Sequence, residues 1–222
     1  MVFYWAINIT GGIFMFGFQS APEAIMYTIV IVISLTIHEL SHGLVSYLQG
    51  DSTAKDQGRL TLNPIPHIDP FGIIAIYLIH FGWAKPVPIN PNYYKNRRLG
   101  IILTSLAGPF SNLLLAFIGV IIYQKINTYG NPIIIYFVSK LVEINVTLAV
   151  FNLIPIPPLD GSKIFAELCG GKISEFIYNI ERMGMLIIFA LLWLQPVNNA
   201  LFGVIDWVIN GLFNFAILLH IW

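Results

Sequence analysis

The sequence is poor in charged residues and contains a single cysteine. Charged residues make up 10% of the 222 positions, whereas an ordinary soluble domain has about 25%. Hydrophobic residues make up 57% of the chain. A soluble fold of this size could not cover its surface with 11 Lys and Arg and 11 Asp and Glu residues. The composition therefore indicates an integral membrane protein, with lipid facing most of its surface.

Further absences exclude other classes of protein. The lone cysteine, Cys169, excludes a disulfide scaffold. Because neither a close His nor a second Cys accompanies it, we interpret Cys169 as an inert thiol. The net charge of zero gives no support to nucleic-acid binding, which needs a basic surface. The first residues lack Lys and Arg, so we expect no cleaved signal peptide and keep residues 1–18 in the fold.

Several apolar runs reach the length of about 20 residues that a helix needs to cross a bilayer. The run at 1–18 contains Asn, Thr and three Gly residues and is a weak candidate. The last apolar stretch is interrupted at Gln195 and Pro196, so it is either one broken helix or two. We predict five to six transmembrane helices. The strong candidates are 24–49, 99–123 and 132–154, followed by the interrupted stretch at 183–219.

The region at about 51–98 is predicted to be irregular. It is dense in proline, and its apolar run at 71–83 is too short to cross a bilayer comfortably. Irregular backbone at membrane depth persists only where protein or a wet cavity surrounds it. We therefore expect short strands and a re-entrant piece here. The predicted fold is an all-α polytopic membrane protein, a single transmembrane domain over 1–222 with a short β or re-entrant loop region.

The positive charges predict the orientation of the chain. Six of the Lys and Arg residues lie between 50 and 98 and three between 160 and 182. Alternation of the helices places both loops on one side, which the positive-inside rule identifies as the cytoplasm. We therefore expect a multi-pass protein of the cell membrane, with water reaching its site from the cytoplasmic side.

The second span contains the sequence His38-Glu39-Leu40-Ser41-His42, an H-E-x-x-H pattern on a helix. Residues four apart share a helix face, so both imidazoles can bind one metal ion, and Zn²⁺ suits such ligands. Glu39 is offset by about 100° and can accept a proton from an activated water. Ionisable groups inside an apolar span are costly and usually functional. The alternative is a Glu–His pair that joins helices without metal.

A third ligand is needed, and Asp160 is the candidate. It follows Asn152-Leu-Ile-Pro-Ile-Pro-Pro-Leu159, where three prolines end the preceding helix. We expect the chain to run extended here and to carry the carboxylate back to the metal. This open backbone could also bind an extended peptide. The alternative is a polar turn at the membrane edge with Asp160 in solvent.

Three stretches together resemble the site-2 protease family of intramembrane zinc metalloproteases: His38–Gly43, Ala107–Asn112 and Asn152–Gly161. The resemblance implies one zinc ion per chain, held by His38, His42 and Asp160. It also implies that Glu39 is the catalytic base and that Asn152 lies near the site, binding substrate or the developing oxyanion.

The loop Gly82–Pro91 resembles a compact branch of the same family, and no stretch is long enough for a PDZ or CBS domain. The implied substrate is the transmembrane helix of another protein, cleaved within or near the lipid bilayer. The sequence does not predict the oligomeric state.

The sequence leaves alternative functions open, and it does not decide the roles of several residues. A metal or proton transporter could use the same His, Glu and Asp cluster, and an inactive metal-binding scaffold is a third possibility. His67 is either an accessory ligand or a structural residue. Asp69 either supports a zinc-binding His or closes an Asx turn before Pro70. Asn112 is expected to bond across to the site helices, and Lys140 and Glu143 are expected to pair. Aromatic residues, Tyr94 among them, are interpreted as anchors at the membrane interface.

Overall fold

The computed structural model describes residues 20–79, 82–127 and 130–219. This part of the chain is helical and contains no named strand, which confirms the all-α prediction. The weak span at 1–18 lies outside the described residues. The helices of the described part are α1 (Ala21–Leu48), α2 (Thr53–Asp56), α3 (Pro70–Ile79), α4 (Arg97–Ile126), α5 (Pro132–Asn152), α6 (Asp160–Cys169), α7 (Gly171–Ile180), α8 (Gly184–Leu192) and α9 (Gln195–Leu218).

Four of these helices, α1, α4, α5 and α9, are long and apolar enough to cross a membrane. The starts of α1, α4 and α5 follow ordinary capping chemistry, because an unpaired N–H of the first turn is satisfied by a side-chain oxygen. Asn96 accepts a hydrogen bond from Leu99 N at 3.1 Å, and Asn131 accepts one from Ile133 N at 2.9 Å. The three strong runs of the sequence are thus helices of the described structure.

The apolar stretch at 183–219 forms two helices. The chain breaks after α8, and α9 begins at Gln195 with Pro196 in its first turn. With nine residues, α8 is too short to span a bilayer, since about 20 are needed. The described residues therefore contain four spanning candidates of the five to six predicted.

The short strands expected in the 51–98 region are absent from its described part. Its β pairing there is one isolated antiparallel bridge between Ile68 and Ala84. A proline has no N–H for a strand ladder, and Pro86, Pro88 and Pro91 follow the bridge at close intervals. The strand prediction was wrong for this physical reason.

The re-entrant prediction agrees with the path of α3. This helix runs beside the first half of α1, where Ile76 is buried against α1 and Tyr77 Oη lies 2.5 Å from Thr28 Oγ1. The chain then returns to the start of α3, where Trp83 Nε1 donates a hydrogen bond to Asp69 Oδ2 at 3.1 Å. The segment thus enters and leaves on the same side of the helix bundle.

The segment 153–159 is not extended, so that prediction was wrong. Hydrogen bonds close it into successive turns, with Ile156 N donating to Ile154 O at 2.8 Å and Leu159 N donating to Ile156 O at 3.0 Å. Gly161 permits the fold, because a Cβ there would lie 2.2 Å from Leu153 O. A strip this compact brings Asp160 back toward the bundle without offering a free edge.

Both cationic loops lie at the same end of the bundle. Gln49, at the end of α1, donates to Gly100 O in the first turn of α4 at 3.2 Å. Arg98 Nη2 donates to Leu168 O near the end of α6 at 2.9 Å.

Within α5, Lys140 and Glu143 form the predicted ion pair at 2.6 Å. Tyr94 is buried and bonds to Ser46 Oγ at 2.7 Å, so its prediction as an interface anchor was wrong.

Candidate metal centre

Three predicted ligands meet inside the bundle. His38 and His42 lie one turn apart on α1, and their Nε2 atoms are 2.9 Å from each other. Asp160, the first residue of α6, places Oδ2 3.2 Å from His38 Nε2 and 3.1 Å from His42 Nε2. All three side chains are buried. Asp160 therefore faces the histidines, and the alternative of a solvated turn does not hold.

The other ring nitrogen of each histidine is fixed by a bond to the protein. His38 Nδ1 lies 2.6 Å from Asn112 Oδ1, and His42 Nδ1 lies 2.7 Å from Thr104 O. Both oxygens accept hydrogen bonds, so each Nδ1 is the donor. A neutral imidazole with its hydrogen on Nδ1 presents a lone pair on Nε2. Both Nε2 lone pairs are thus directed at the same point as the carboxylate.

This donor set fits a zinc ion. Two lone pairs and a carboxylate that face one another repel unless a cation lies among them. Tetrahedral zinc at 2.0–2.1 Å from its ligands sets neighbouring ligand atoms about 3.3 Å apart. The three separations of 2.9, 3.1 and 3.2 Å are close to that value. Among the described residues, this is the one group of His, Cys and acidic side chains spaced to hold a metal.

Gly108 allows α4 to approach the histidine rings. A Cβ built at this glycine would lie 2.5 Å from both His38 Cε1 and His42 Nε2, closer than any real contact. The Ala107–Asn112 stretch therefore has a packing role directly against the predicted ligands.

A buried amide network supports His38 from behind. Asn112 Nδ2 donates to Asn145 Oδ1 at 2.7 Å, and Asn145 Nδ2 donates to Ser34 Oγ at 2.8 Å. Because the NH₂ group of Asn112 faces Asn145, its Oδ1 faces His38. Ser34, Asn112 and Asn145 are fully buried and join α1, α4 and α5. The predicted bond from Asn112 to the site helix is confirmed.

Glu39 does not join the ligand cluster. Its Oε2 accepts a hydrogen bond from Val87 N at 2.7 Å, and the side chain is half-buried. The offset expected from the helix geometry is therefore present. A carboxylate beside the ligands can accept a proton from a water at the site.

The remaining candidates lie outside the cluster. Asn152 Nδ2 donates to Leu148 O of its own helix at 2.9 Å. His67 is buried, and its Nε2 donates to Thr61 O at 3.0 Å. Asp69 accepts from Phe71 N at 2.9 Å and caps α3, which favours the Asx-turn interpretation. The hydrogen bonds of the His67 and Asp69 side chains go to groups other than the predicted ligands.

Sequence reasoning missed two partners of the site. Thr104 acts through its backbone carbonyl, and Val87 acts through its backbone N–H, so neither side chain signals the role. A signal was present for Val87, because it stands between Pro86 and Pro88, neither of which carries an N–H.

Comparisons with known proteins agree with this chemistry. The profile of peptidase family M50 matches residues 121–194. A Bacillus subtilis protein named "Putative zinc metalloprotease YwhC" is 43% identical over 178 residues, which cover 77% of this chain and 81% of that protein. A Mycolicibacterium smegmatis protein named "Putative zinc metalloprotease Rip2" is 28% identical, covering 79% of this chain and 70% of that protein. No solved structure gives a significant match.

The donor cluster, which has two of its three members on a spanning helix, together with these relatives, defines the class: the chain is an intramembrane zinc metalloprotease. It belongs to peptidase family M50, the site-2 protease family. Nothing in the comparisons supports a metal or proton transporter.

Proposed function

We propose that this protein hydrolyses peptide bonds within or near the transmembrane helices of membrane-protein substrates. In this proposal His38, His42 and Asp160 hold one zinc ion, and Glu39 is the general base. The observation that carries it is the convergence of two Nε2 atoms and a carboxylate within a spanning helix bundle, with both Nδ1 atoms already bonded to protein.

One residue of the chain, Glu39, carries both proton transfers of the reaction. When bound, zinc supplies Lewis acidity, which lowers the pKa of water and polarises a carbonyl group. Glu39 takes the proton from the attacking water and delivers it to the leaving amine. Water is consumed, and the scissile C–N bond is replaced by a carboxylate and an amine.

Asn152 has a proposed part in binding the substrate. Its amide lies at the last residue of α5 and bonds to Leu148 O. In the proposed role it turns from that carbonyl to donate to the developing oxyanion, a contribution worth about 10²–10³ in kcat in other enzymes. Because the bonds of a substrate helix are protected, its segment must unwind before it reaches these groups.

The proposed orientation places both cationic loops in the cytoplasm. His42 is six residues from the end of α1 at that side, a depth of about 9 Å along the helix. Water is proposed to enter from this end.

The test is cleavage of a panel of single-span substrates by the purified protein in detergent with zinc. The wild type and Glu39→Gln should both retain one zinc per chain, and only the wild type should cleave. Equal cleavage by Glu39→Gln, or no cleavage by either protein across a broad panel, contradicts the proposal.

A further inference from the structure

A non-helical segment, residues 85–90, lies against the Glu39 side of α1. Val87 is buried there, and a Cβ on Gly43 would lie 3.0 Å from Val87 Cγ1. Val87 N donates to Glu39 Oε2 at 2.7 Å. Because Pro86 and Pro88 have no N–H, Val87 carries the one backbone donor of this tripeptide.

The 85–90 segment is held in place by bonds to its backbone. Arg59 Nη2 donates to Lys85 O at 2.7 Å, and Arg59 Nη1 donates to Pro86 O at 3.1 Å. Lys85 N donates to His67 O at 2.9 Å. Arg59 is only 6% exposed, although a buried guanidinium is costly unless its donors are used. The two carbonyls that it bonds immediately precede the N–H that reaches Glu39.

We propose that Arg59 is a positioning residue for hydrolysis, acting through Val87 N–H on the Glu39 carboxylate. The inference rests on the proposed role of Glu39 as the base. Arg59 fixes the carbonyls of Lys85 and Pro86, and this fixes the direction of the next N–H. That N–H binds one carboxylate oxygen and leaves Oε1 to receive the proton of the attacking water.

The geometry explains why such a fixed donor matters. A glutamate side chain has several rotatable bonds, and a charge-assisted hydrogen bond selects one arrangement. A misplacement of about 1 Å at the reacting groups can lower the rate about 10²-fold. Neither Arg59 nor Val87 belongs to the ligand cluster, so zinc binding should not depend on them.

The experiment measures kcat, KM and zinc content for the purified full chain. Arg59→Ala removes the side chain that bonds the two carbonyls, and Val87→Pro removes the N–H that donates to Glu39. Each variant should lower kcat about 10- to 100-fold. KM and zinc content should stay within about twofold of wild type, as expected when only the base is misplaced. Arg59→Lys should restore only part of the rate. An ammonium can still donate to a carbonyl, but it lacks the planar fork that bonds two carbonyls at once.

Two control variants match these changes. Val87→Ala keeps the N–H and shortens the side chain, so it should lose less kcat than Val87→Pro. Arg98→Ala removes another arginine that donates to a backbone carbonyl, Leu168 O, and should leave kcat unchanged.

Wild-type kcat in both Arg59→Ala and Val87→Pro overturns the inference, as does a raised kcat, which would make the segment a lid. Equal losses in Val87→Ala and Val87→Pro also overturn it, since packing would then be the cause. If Arg59→Ala does not fold, Arg59→Lys and Val87→Pro decide. The proposed function fails separately, when wild type does not cleave or when Glu39→Gln cleaves equally well.

Discussion

At the residue scale, His38 and His42 each bond to the protein through Nδ1 and direct Nε2 toward the proposed metal position. The bonds from Nδ1 to Asn112 and Thr104 O fix the tautomer and the ring plane. Such outer partners are worth about 10- to 100-fold in metal affinity or activity in other metal sites. The buried amide network behind Asn112 therefore supports the orientation of the His38 ring as well as the packing of the helices.

Gly108→Ala tests the contact of α4 with the rings of His38 and His42, the two proposed ligands. The added methyl would lie 2.5 Å from His42 Nε2, so a ring or the helix must move. We expect zinc affinity to fall at least about 10-fold, measured by competition with a chelator of known affinity.

Gly119→Ala is the matched control on the same helix. Its Cβ would lie 2.8 Å from Val142 Cγ2 and away from the ligands. Both variants should lose about 1–3 kcal/mol of stability through overpacking, and only Gly108→Ala should lose zinc affinity. Equal zinc affinity in the two variants would contradict this account of Gly108.

The sequence predicted the three residues that meet in the cluster, but not the groups that support them. An i, i+4 pair of histidines defines its own face, and Asp160 was a candidate because it follows three prolines that end a spanning helix, with a solvated turn as the alternative. The Thr104 carbonyl depends instead on the rotation and contact of separate helices, which no local pattern contains. For Val87 the local signal was its position between two prolines, but its contact with Glu39 could not be predicted from that pattern.

At the scale of elements, the loop between α1 and α4 is organised by hydrogen bonds rather than by strands. Asp51 is fully buried at the end of α1 and joins three parts of this loop. It accepts from Ser46 Oγ at 2.7 Å, Asn90 N at 2.7 Å and Thr53 N at 3.0 Å, and also from Thr53 Oγ1. Side-chain hydrogen bonds thus hold this loop together in place of a strand ladder. The proline-rich composition alone could not predict these hydrogen bonds.

Asp51 gives the loop a predictable response to acid. Burial raises the pKa of Asp51, but the hydrogen bonds from Thr53, Asn90 and Ser46 outweigh burial and hold the pKa below its ordinary value. Since the folded-state pKa is the lower one, this stabilisation is complete above the ordinary value and is lost as the pH falls through the folded pKa.

Asp51→Asn should lower the apparent unfolding midpoint by roughly 3–8 °C at neutral pH. The difference from wild type should shrink as the pH falls below about 4. Differential scanning fluorimetry in detergent measures it, with the exposed Asp56→Asn as the control. A difference that persists unchanged into acid would refute this role for Asp51.

The turn at 153–159 shows another limit of sequence reasoning. The three prolines correctly predicted the end of α5, but they did not distinguish an extended segment from successive turns. The turns depend on Gly161, whose missing side chain admits Leu153 O, and this close contact joins residues that a local pattern treats separately.

At the scale of the whole molecule, the apolar runs predicted the spanning helices α1, α4, α5 and α9 of the described part. The two cationic loops meet at one end of this bundle, where Arg98 reaches Leu168 O. The boundary between α8 and α9 was also marked in the sequence by Pro196. Lengths and composition are sufficient for such predictions because the bilayer fixes the length of a spanning helix.

Cys169 is a native reporter of the orientation. It is the only cysteine of the chain, it is exposed, and it ends α6 beside the cationic loops. A membrane-impermeant maleimide should label it only from the cytoplasmic side, in inverted but not in right-side-out vesicles.

The control is Cys169→Ser combined with Ile133→Cys. Ile133 lies in the first turn of α5, at the opposite end of the bundle, and is 66% exposed. It should show the reverse labelling pattern. Labelling of Cys169 from the outer side alone would contradict the orientation.

The position of the scissile bond tests the central claim most directly. A single-span substrate and the protein are reconstituted together in vesicles with zinc, and the products are identified by mass spectrometry. We predict cleavage within or at the edge of the substrate's apolar segment, abolished both by a zinc chelator and by Glu39→Gln. Cleavage confined to the water-exposed flanks, or cleavage at the same bond by Glu39→Gln, would contradict it.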